Sequence, residues 1–581
     1  MCLSPKGGLI LLNKCISFLV AGLIGISLLF SGCARSEDTV SQTSVNMTVS
    51  KADTSGMDFS FDDRDLYPDE STAGQAVDVS AFSESAYSII SGGTYTLSGA
   101  KTDTMVLIDA ENAEVNLILN DVTIQNSNGP ALYVRSADKV TITLAEGTVN
   151  TLSDGLSYEI TDSGSTLDAA VFSKADLTVN GSGTLVVNGN YKHGIVSKDN
   201  LIISSCKMQI AAKNVGLNGK DCVKINGGTL TIDAGSDGIR SDNDKDSSRG
   251  YIYLHGGKIE ITAGKDGIQA ETVLNMEDVT LTVRAGGGSS GSLSSSDESY
   301  KGVKAGSDLY ITGGTFAIDT KDDCIHSNGT ITISGGEYTL SSGDDGIHAD
   351  TDLEISGSDT KITITKSYEG SEATNLYIKD GEISIVATDD GLNAAGGNNA
   401  DSGGMRPGRG PFSSSTGSMV ISGGNISIRM GGDGIDSNGD LTITGGRITV
   451  SGANVGDTSI IDFDATGTIS GGTFIGTGAS MMAQNFSSSS SQGAIMVTTG
   501  TQAAGTTIKL TDSNGNELIS HTADQPFSCI IISHASIVKG GTYTLTVGSS
   551  TTTITMTDTV YGSGGGPGGG GPGGGGPGGR R

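Results

Sequence analysis

A pattern of two apolar/polar alternations recurs along the chain from about residue 180 onward. Each repeat contains an alternating stretch, a Gly-Gly step, a second alternation, an acidic turn and a Gly-Ile step, as in ITISGGEYTLSSGDDGIHAD from Ile331. Alternation with a period of two, rich in Ile, Val, Leu and Thr, is typical of β-strands. Each repeat is therefore predicted to form three short strands and three turns.

The Gly-Ile step, or its equivalent, sets the length of the repeat. Its regular spacing is 22 residues, and it occurs at Gly194, Gly216, Gly238, Gly267, Gly302, Cys324, Gly346, Gly370, Gly391 and Gly434. Two insertions, from Gly286 to Ser299 and from Gly396 to Phe412, explain the longer gaps. A solenoid tolerates them because each coil contacts only its neighbours.

Three strands per coil, stacked coil on coil, give three parallel sheets around an apolar core. We therefore predict an all-β protein with a right-handed parallel β-helix, the hand following the general preference of parallel connections. A propeller is the competing repeat architecture, but its blades need about twice this period. The predicted inward residues of one coil are Ile331, Ile333, Tyr338, Leu340, Ile347 and Ala349.

The composition changes outside the regular repeats. Weaker coils from residue 80 to 180 extend the predicted β-helix to residues 81–490, and longer strands over 491–561 predict a small β module. Residues 34–80 are predicted to be a tether. The Gly/Pro-rich tail, 562–581, is predicted to be disordered.

The first 33 residues have the features of an export signal. Lys6 and Lys14 precede an apolar run from Ile16 to Phe30, and small residues lead into Cys33. The stretch LLFSGC resembles a bacterial lipobox, which implies that Cys33 is the lipid-modified first residue of the mature protein. An uncleaved apolar anchor is the alternative. We expect an exported cell-surface lipoprotein on the outer face of the membrane or cell wall.

Charge and cysteine content narrow the function further. The 581 residues carry a formal net charge of -30, which disfavours nucleic acid and anionic headgroups as partners unless cations bridge. No CxxC spacing indicates zinc. The cysteines beyond Cys33 are predicted to be free core thiols, and these are Cys206, Cys222, Cys324 and Cys529.

The acidic turns form a predicted column, because equivalent residues of successive coils lie roughly 4.8 Å apart. Its members are Asp237, Asp266, Asp323, Asp345, Asp390 and Asp433, with Asp322, Asp344 and Asp389 directly before three of them. Neighbouring like charges repel by roughly 1 kcal/mol in solvent and about 4 where solvent is partly excluded. A cation is therefore expected to neutralise the column.

Calcium is the predicted cofactor, since it accepts many carboxylate and carbonyl oxygens in loose geometry. The clearest local motif is the alternating acidic loop Asp242-Asn243-Asp244-Lys245-Asp246, and Glu271 shares an outward column with Asp242. All these acidic residues and Asn243 form the predicted ligand set. The alternative is that Asp before Gly is a plain turn former that bonds its own backbone.

A polar stripe is predicted beside the acidic turns, where residues between inward positions must point outward. Its proposed carbohydrate contacts are Lys198, Lys220, Arg240, Gln269, Lys304, His326, His348 and Asn393. Arg and Lys suit sugar carboxylates. The two histidines lack a third ligand for zinc and are assigned to the stripe. The alternative is an ordinary solvated sheet face.

Several long stretches resemble the bacterial carbohydrate-binding right-handed β-helix family typified by a clostridial cellulose- and pectin-binding surface protein. They include LNDVTIQNSNGPALYVRSADKVTITLAEGTVN from Leu119, GSDGIRSDNDKDSSRGYIYLHGG from Gly235 and SYKGVKAGSDLYITGGTFAIDTKDDCIHS from Ser299. The resemblance, over about residues 80–490, implies a pectate-lyase-like β-helix with bound calcium and a binding role without catalysis. Asn218 departs from it, because a basic residue is expected there.

Three hypotheses for function follow. The first is non-catalytic binding of acidic pectin-like polymers or cellulose by a calcium-loaded, monomeric surface protein. The second is a calcium-dependent polysaccharide lyase in which Lys220, Arg240 or Lys304 removes the sugar proton. The third is a surface adhesin or spacer with a protein partner.

Overall fold

The computed structural model describes residues 49, 51–67, 74–159, 162, 164, 166–291, 298–395, 417–456 and 458–562. The predicted signal segment with Cys33, the second insertion and nearly all of the Gly/Pro tail lie outside these residues. The described part is nearly all β, and its helical elements are Asp63–Leu66 and a 3-10 turn, Val79–Ala81. No helix within the described residues is both long and apolar enough to span a membrane.

The strands form three parallel faces, because each strand pairs with the equivalent strand of the next coil. The first face contains Gln75–Asp78, Gly93–Thr102, Glu114–Gln125, Lys139–Leu144, Asp176–Gly181, Asn200–Ser204, Cys222–Asn226, Tyr251–His255, Leu274–Glu277, Leu309–Ile311, Ile331–Ile333, Ile347–Ile355, Ser371–Ile378, Ser418–Ile421, Leu441–Ile443 and Gly467–Ile469.

The second face begins as the continuation of Gly93–Thr102 and Glu114–Gln125. It then contains Val149–Ser153, Thr184–Gly189, Lys207–Ala212, Thr229–Ala234, Lys258–Ala263, Val279–Ala285, Gly314–Thr320, Glu337–Ser342, Lys361–Lys366, Glu382–Val386, Asn425–Met430, Arg447–Gly452 and Thr473–Gly478.

The third face carries the Gly-Ile steps. It contains Ala86–Ile89, Met105–Asp109, Leu132–Ser136, Ala169–Ser173, His193–Ser197, Leu217–Gly219, Ile239–Ser241, Ile268–Ala270, Val303–Ala305, Ile325–Ser327, Leu392–Ala394, Ile435–Ser437 and Ile461–Phe463. The starts of Ile347–Ile355 and Ser371–Ile378 also belong to it. This arrangement is β-helix-like and confirms the all-β prediction.

The predicted inward residues of the coil from Ile331 to Ala349 are all buried, at 0–1% exposure. They belong to one apolar core that runs through the stack, in which the Tyr338 ring stacks on Phe316 at 4.7 Å. The four cysteines predicted to be core thiols are free and buried.

Close packing between coils explains the Gly of the Gly-Ile step. A Cβ atom on Gly346 would lie 2.6 Å from the carbonyl oxygen of Gly370 in the next coil. Only a residue without a side chain fits this approach, so a Gly recurs at most of these steps.

Pairing becomes antiparallel near the C-terminus. Thr473–Gly478 pairs antiparallel with Phe527–His534, which also pairs antiparallel with Ala494–Gln502, and Val560–Tyr561 adds beside the latter. A separate antiparallel sheet has the order Glu517–Thr522, Thr507–Asp512, Thr542–Val547, Ser550–Thr555. Together they enclose a second apolar core. The change falls where the strand rhythm changes in the sequence.

Residues 51–66, which we call the N-terminal strap, lie along the outer surface of the first face. The Phe59 ring packs edge-on against Tyr251 at 5.2 Å, and the Tyr251 hydroxyl donates to the Asp58 carbonyl oxygen at 2.8 Å. At its far end the buried Asp65 carboxylate pairs with the ammonium of Lys139 at 2.6 Å. This part of the predicted tether is therefore packed against the coils.

Candidate functional site

The outward residues of the third face form one continuous column, which we call the strand column. Strand pairing gives its order as Asn218, Arg240, Gln269, Lys304, His326, His348, Glu372, Asn393, Asp436 and Asp462. The predicted stripe lacked Glu372 because its step reads Gly370-Ser371, without the usual Ile. A spacing of two residues from Gly370 is the signal that identifies it.

The residues before each step form a second column, which we call the turn column. Backbone hydrogen bonds between successive coils give its order as Asp237, Asp266, Lys301, Asp323, Asp345, Glu369, Asp390 and Asp433. Sequence reasoning found the aspartates and missed Lys301 and Glu369. The predicted run of like charges is therefore interrupted by one cation.

Lys301 neutralises the middle of the turn column. Its buried ammonium lies 2.9 Å from Asp322 Oδ1 and 2.9 Å from Asp323 Oδ2. Burial alone would raise the pKa of Asp323, but the Lys301 charge and a hydrogen bond from His326 hold it well below its usual value. Burial would lower the pKa of Lys301, yet the two carboxylates raise it. This part of the column needs no added cation.

The N-terminal end of the turn column is held by Arg240 and by the backbone. The guanidinium of Arg240 lies 3.3 Å from an Asp237 oxygen and 3.3 Å from an Asp242 oxygen. Asp266 Oδ1 accepts the Lys301 backbone N–H at 2.7 Å, and burial raises the pKa of Asp266 to about 6.

His326 and His348 stack one coil apart, with ring centroids separated by 5.1 Å. His326 Nδ1 lies 2.9 Å from Asp323 Oδ2 and its Nε2 lies 2.9 Å from Asn328 Oδ1. Burial and the charge of Lys301 lower the pKa of His326. His326 is therefore neutral at physiological pH.

His348 has a more acidic environment. Its Nδ1 lies 2.9 Å from Asp345 Oδ2 and 3.3 Å from Glu372 Oε2, and its Nε2 lies 3.3 Å from Asp350 Oδ1. Burial would lower the pKa of His348, but hydrogen bonds to these three carboxylates raise it well above its ordinary value. The imidazolium therefore neutralises this part of the site.

The carboxylates at the C-terminal end of the turn column have acidic neighbours, which disfavour their charged form. Burial, together with the charges of Asp433, Glu369 and Asp436, raises the pKa of Asp390 to about 8. Burial likewise raises the pKa of Asp433 to about 7. The Asp433 backbone N–H donates to Asp390 Oδ1 at 2.6 Å. Asp390 and Asp433 therefore share an acidic, partly desolvated environment.

The predicted calcium loop pairs each carboxylate with a different cation. Asp242 contacts Arg240 at 3.3 Å, Asp244 contacts Lys245 at 2.7 Å, and Asp246 contacts Arg249 at 3.4 Å. Asn243 donates to Asp221 at 2.6 Å, and Glu271 is exposed. In the described residues, the groups with three ligand atoms within 4.8 Å are Asp323/His326/His348, Asp345/His348/Glu372 and Asp322/Asp323/Asp344.

The predicted carbohydrate contacts differ in accessibility. Lys198 is exposed, and the partly exposed members are Lys220, Arg240, Gln269 and Lys304. His326, His348 and Asn393 are buried. The first group can contact a polymer directly, whereas the second lies beneath the surface. An outward position on this face is not always open, because the acidic turns cover it.

Part of this chain is similar to known proteins. A family model described as carbohydrate-binding domain-containing protein matches residues 83–346 and 329–411. A carbohydrate-binding domain-containing protein of Acetivibrio thermocellus is 36% identical over 138 residues, which are 23% of this chain and 48% of the relative. The chain thus spans about half the length of this curated relative. A solved structure of a polysaccharide lyase-like protein from C. thermocellum, a gadolinium derivative, is 32% identical with a TM-score of 0.37, covering 41% of this chain and 95% of that chain.

Proposed function

This chain belongs to the family of carbohydrate-binding domain-containing proteins, and we propose that it binds acidic pectin-like polysaccharide and cellulose without cleaving either polymer. The protein would act as a lipid-anchored monomer on the bacterial cell surface. We also propose that the β-helix is right-handed and that the polymer lies along the stack, across successive coils.

The observation that carries the proposal is the accessible line of cations on the third face. Arg240 and Lys304 stand two coils apart in the strand column, with Gln269 between them, and Lys198 and Lys220 lie beside it. Successive coils repeat at roughly 4.8 Å, so an extended polymer meets a donor at each coil. Arg and Lys donors suit sugar carboxylates and hydroxyls.

Calcium has its best support at the C-terminal end of the turn column. Asp389, Asp390 and Asp433 supply carboxylates, and the buried Asn393 Oδ1, three residues after Asp390, has no hydrogen-bond partner. Carboxylate and amide oxygens are ligands that calcium accepts. Asp323 and Asp345 already pair with Lys301 and His348. The carboxylates of the loop from Asp242 to Asp246 also pair with basic side chains. We therefore place calcium at the C-terminal coils.

Retention of the purified full chain on polygalacturonate, cellulose and a neutral resin tests the proposal. We expect retention on the acidic polymer to need calcium and to be lost after chelation. Replacing Lys220, Arg240 and Lys304 together with Gln should abolish it. A matched triple substitution of exposed lysines elsewhere, Lys258, Lys361 and Lys539 to Gln, should leave it intact.

The opposing results are equally specific. A folded protein retained by no glycan would refute binding and favour the adhesin hypothesis. Equal loss in both triple variants would assign retention to net charge. Incubation with polygalacturonate should give no unsaturated product by ultraviolet absorbance; a calcium-dependent product lost with Lys220, Arg240 or Lys304 would establish the lyase hypothesis.

A further inference from the structure

Asp345, His348 and Glu372 bring three ligand atoms together from two successive coils. Asp345 lies in the turn column, and His348 and Glu372 are adjacent members of the strand column. All three residues are buried, at 2%, 7% and 5% exposure. We propose that they form a binding site for a first-row transition-metal dication such as Zn²⁺, distinct from any calcium site.

The distances suit a small metal ion. His348 Nδ1 lies 2.9 Å from Asp345 Oδ2 and 3.3 Å from Glu372 Oε2, and the three ligand atoms lie within 4.8 Å of one another. Zinc binds His nitrogen and carboxylate oxygen at about 2.0–2.1 Å with tetrahedral geometry, so its ligands lie about 3.3 Å apart. Small shifts of these side chains would therefore admit the ion.

Surrounding contacts already orient the ligands. His348 Nε2 lies 3.3 Å from Asp350 Oδ1, which matches the carboxylate that usually holds the second nitrogen of a metal-bound histidine. Asp345 Oδ1 accepts the Glu369 backbone N–H at 3.2 Å, which leaves Oδ2 directed toward His348. Glu372 would supply the third zinc ligand, and it is the one that the sequence pattern did not identify.

Neighbouring groups show why this set is favoured over the other two. Asp323 and Asp322 each contact the Lys301 ammonium at 2.9 Å, so a cation already occupies both groups that contain Asp323. At Asp345 and Glu372 the neighbouring cation is the His348 imidazolium itself, which loses its Nδ1 proton when that nitrogen binds a metal. Two carboxylates then balance the charge of the dication. A nitrogen ligand favours a transition metal over calcium, which takes oxygen ligands.

Cobalt(II) is the probe for a test on the chelator-treated full chain, because tetrahedral Co²⁺ with such ligands has characteristic visible absorption. We expect one equivalent to give this spectrum, Zn²⁺ to displace it, and excess Ca²⁺ to leave it unchanged. H348Q and E372Q should each abolish the spectrum. D350N should leave the shape of the Co²⁺ spectrum unchanged and weaken Co²⁺ binding by about 10–100-fold, as expected for a positioning residue.

Two control variants make the test specific. His255 and Glu277 form an exposed His–Glu pair at 3.2 Å, and H255Q should bind Co²⁺ as the wild type does. H326Q should also retain the spectrum, since His326 belongs to the group held by Lys301. Circular dichroism verifies folding, and if H348Q does not fold, E372Q decides. Absence of the spectrum in the folded wild type, its survival in E372Q, its loss in H326Q or its displacement by Ca²⁺ would overturn the proposal.

Discussion

Replacing Asp390 with Asn tests the electrostatic description of the turn column. Asp390 is predominantly protonated in the folded protein at neutral pH, because burial raises its pKa to about 8 from 3.8. Asn has the same shape as the protonated acid, and its amide oxygen can still accept the Asp433 N–H. D390N therefore removes the cost of keeping this carboxyl neutral and keeps its hydrogen bond.

The size of the stability difference between D390N and the wild type follows from the coupling of proton binding to folding. The unfolded state loses its proton above pH 3.8 and the folded state only above about 8, so wild-type stability falls as pH rises through this window and then levels off. The slope is about 1.4 kcal/mol per pH unit. D390N should therefore be more stable than the wild type by about 2 kcal/mol at pH 5 and about 4 kcal/mol at pH 7.

Urea unfolding followed by circular dichroism in the presence of chelator, at pH 5, 6, 7 and 8, measures the difference. D440N, at an exposed aspartate of the following turn, is the matched control and should show no growing difference. Calcium should raise wild-type stability at pH 8 more than that of D390N. A D390N difference that stays constant with pH would refute the argument, and a calcium effect that is equal in both proteins would remove calcium from this end of the column.

Three further predictions concern the scaffold. G346A should lower stability by about 1–3 kcal/mol in thermal unfolding, because its Cβ meets the next coil's carbonyl oxygen at 2.6 Å; G500A, with nothing within 4 Å, is the control, and equal midpoints would contradict the packing. Lys301→Met should cost about 3–5 kcal/mol in urea unfolding, since it leaves two buried carboxylates without their cation; an unchanged midpoint would show that they protonate without penalty. F59A should cost about 1 kcal/mol by removing edge-on ring contacts to Tyr251 and speed protease cleavage within the N-terminal strap; unchanged cleavage would mean that the strap is held elsewhere.

The fold could be predicted from the sequence because the chain contains a regular repeat. The period of two identified strands, and the spacing of 22 residues placed equivalent residues in columns that the strand pairing reproduces. The side-chain directions of one coil were also correct, because Ile331 and Tyr338 occupy alternating positions that must face inward.

The site was harder to predict because its charges interact across coils. Lys301 follows the first insertion, and a search for aspartates alone passes over a cation in the same column. His326 and His348 are outward in register yet buried, since burial depends on the covering turns as well as on alternation. The position of the N-terminal strap depends on long-range packing, although the alternation of Met57, Phe59 and Phe61 was an available signal.

The N-terminal strap changes how the stack would carry a load. Coils of a solenoid contact only their neighbours, so tension on the first coil would peel them off in sequence. Here the strap joins the coil of Tyr310, which Lys51 contacts, to those of Lys224 and Lys139. A pull on the chain ahead of Lys51 therefore enters midway along the stack, and several coils resist it together in shear.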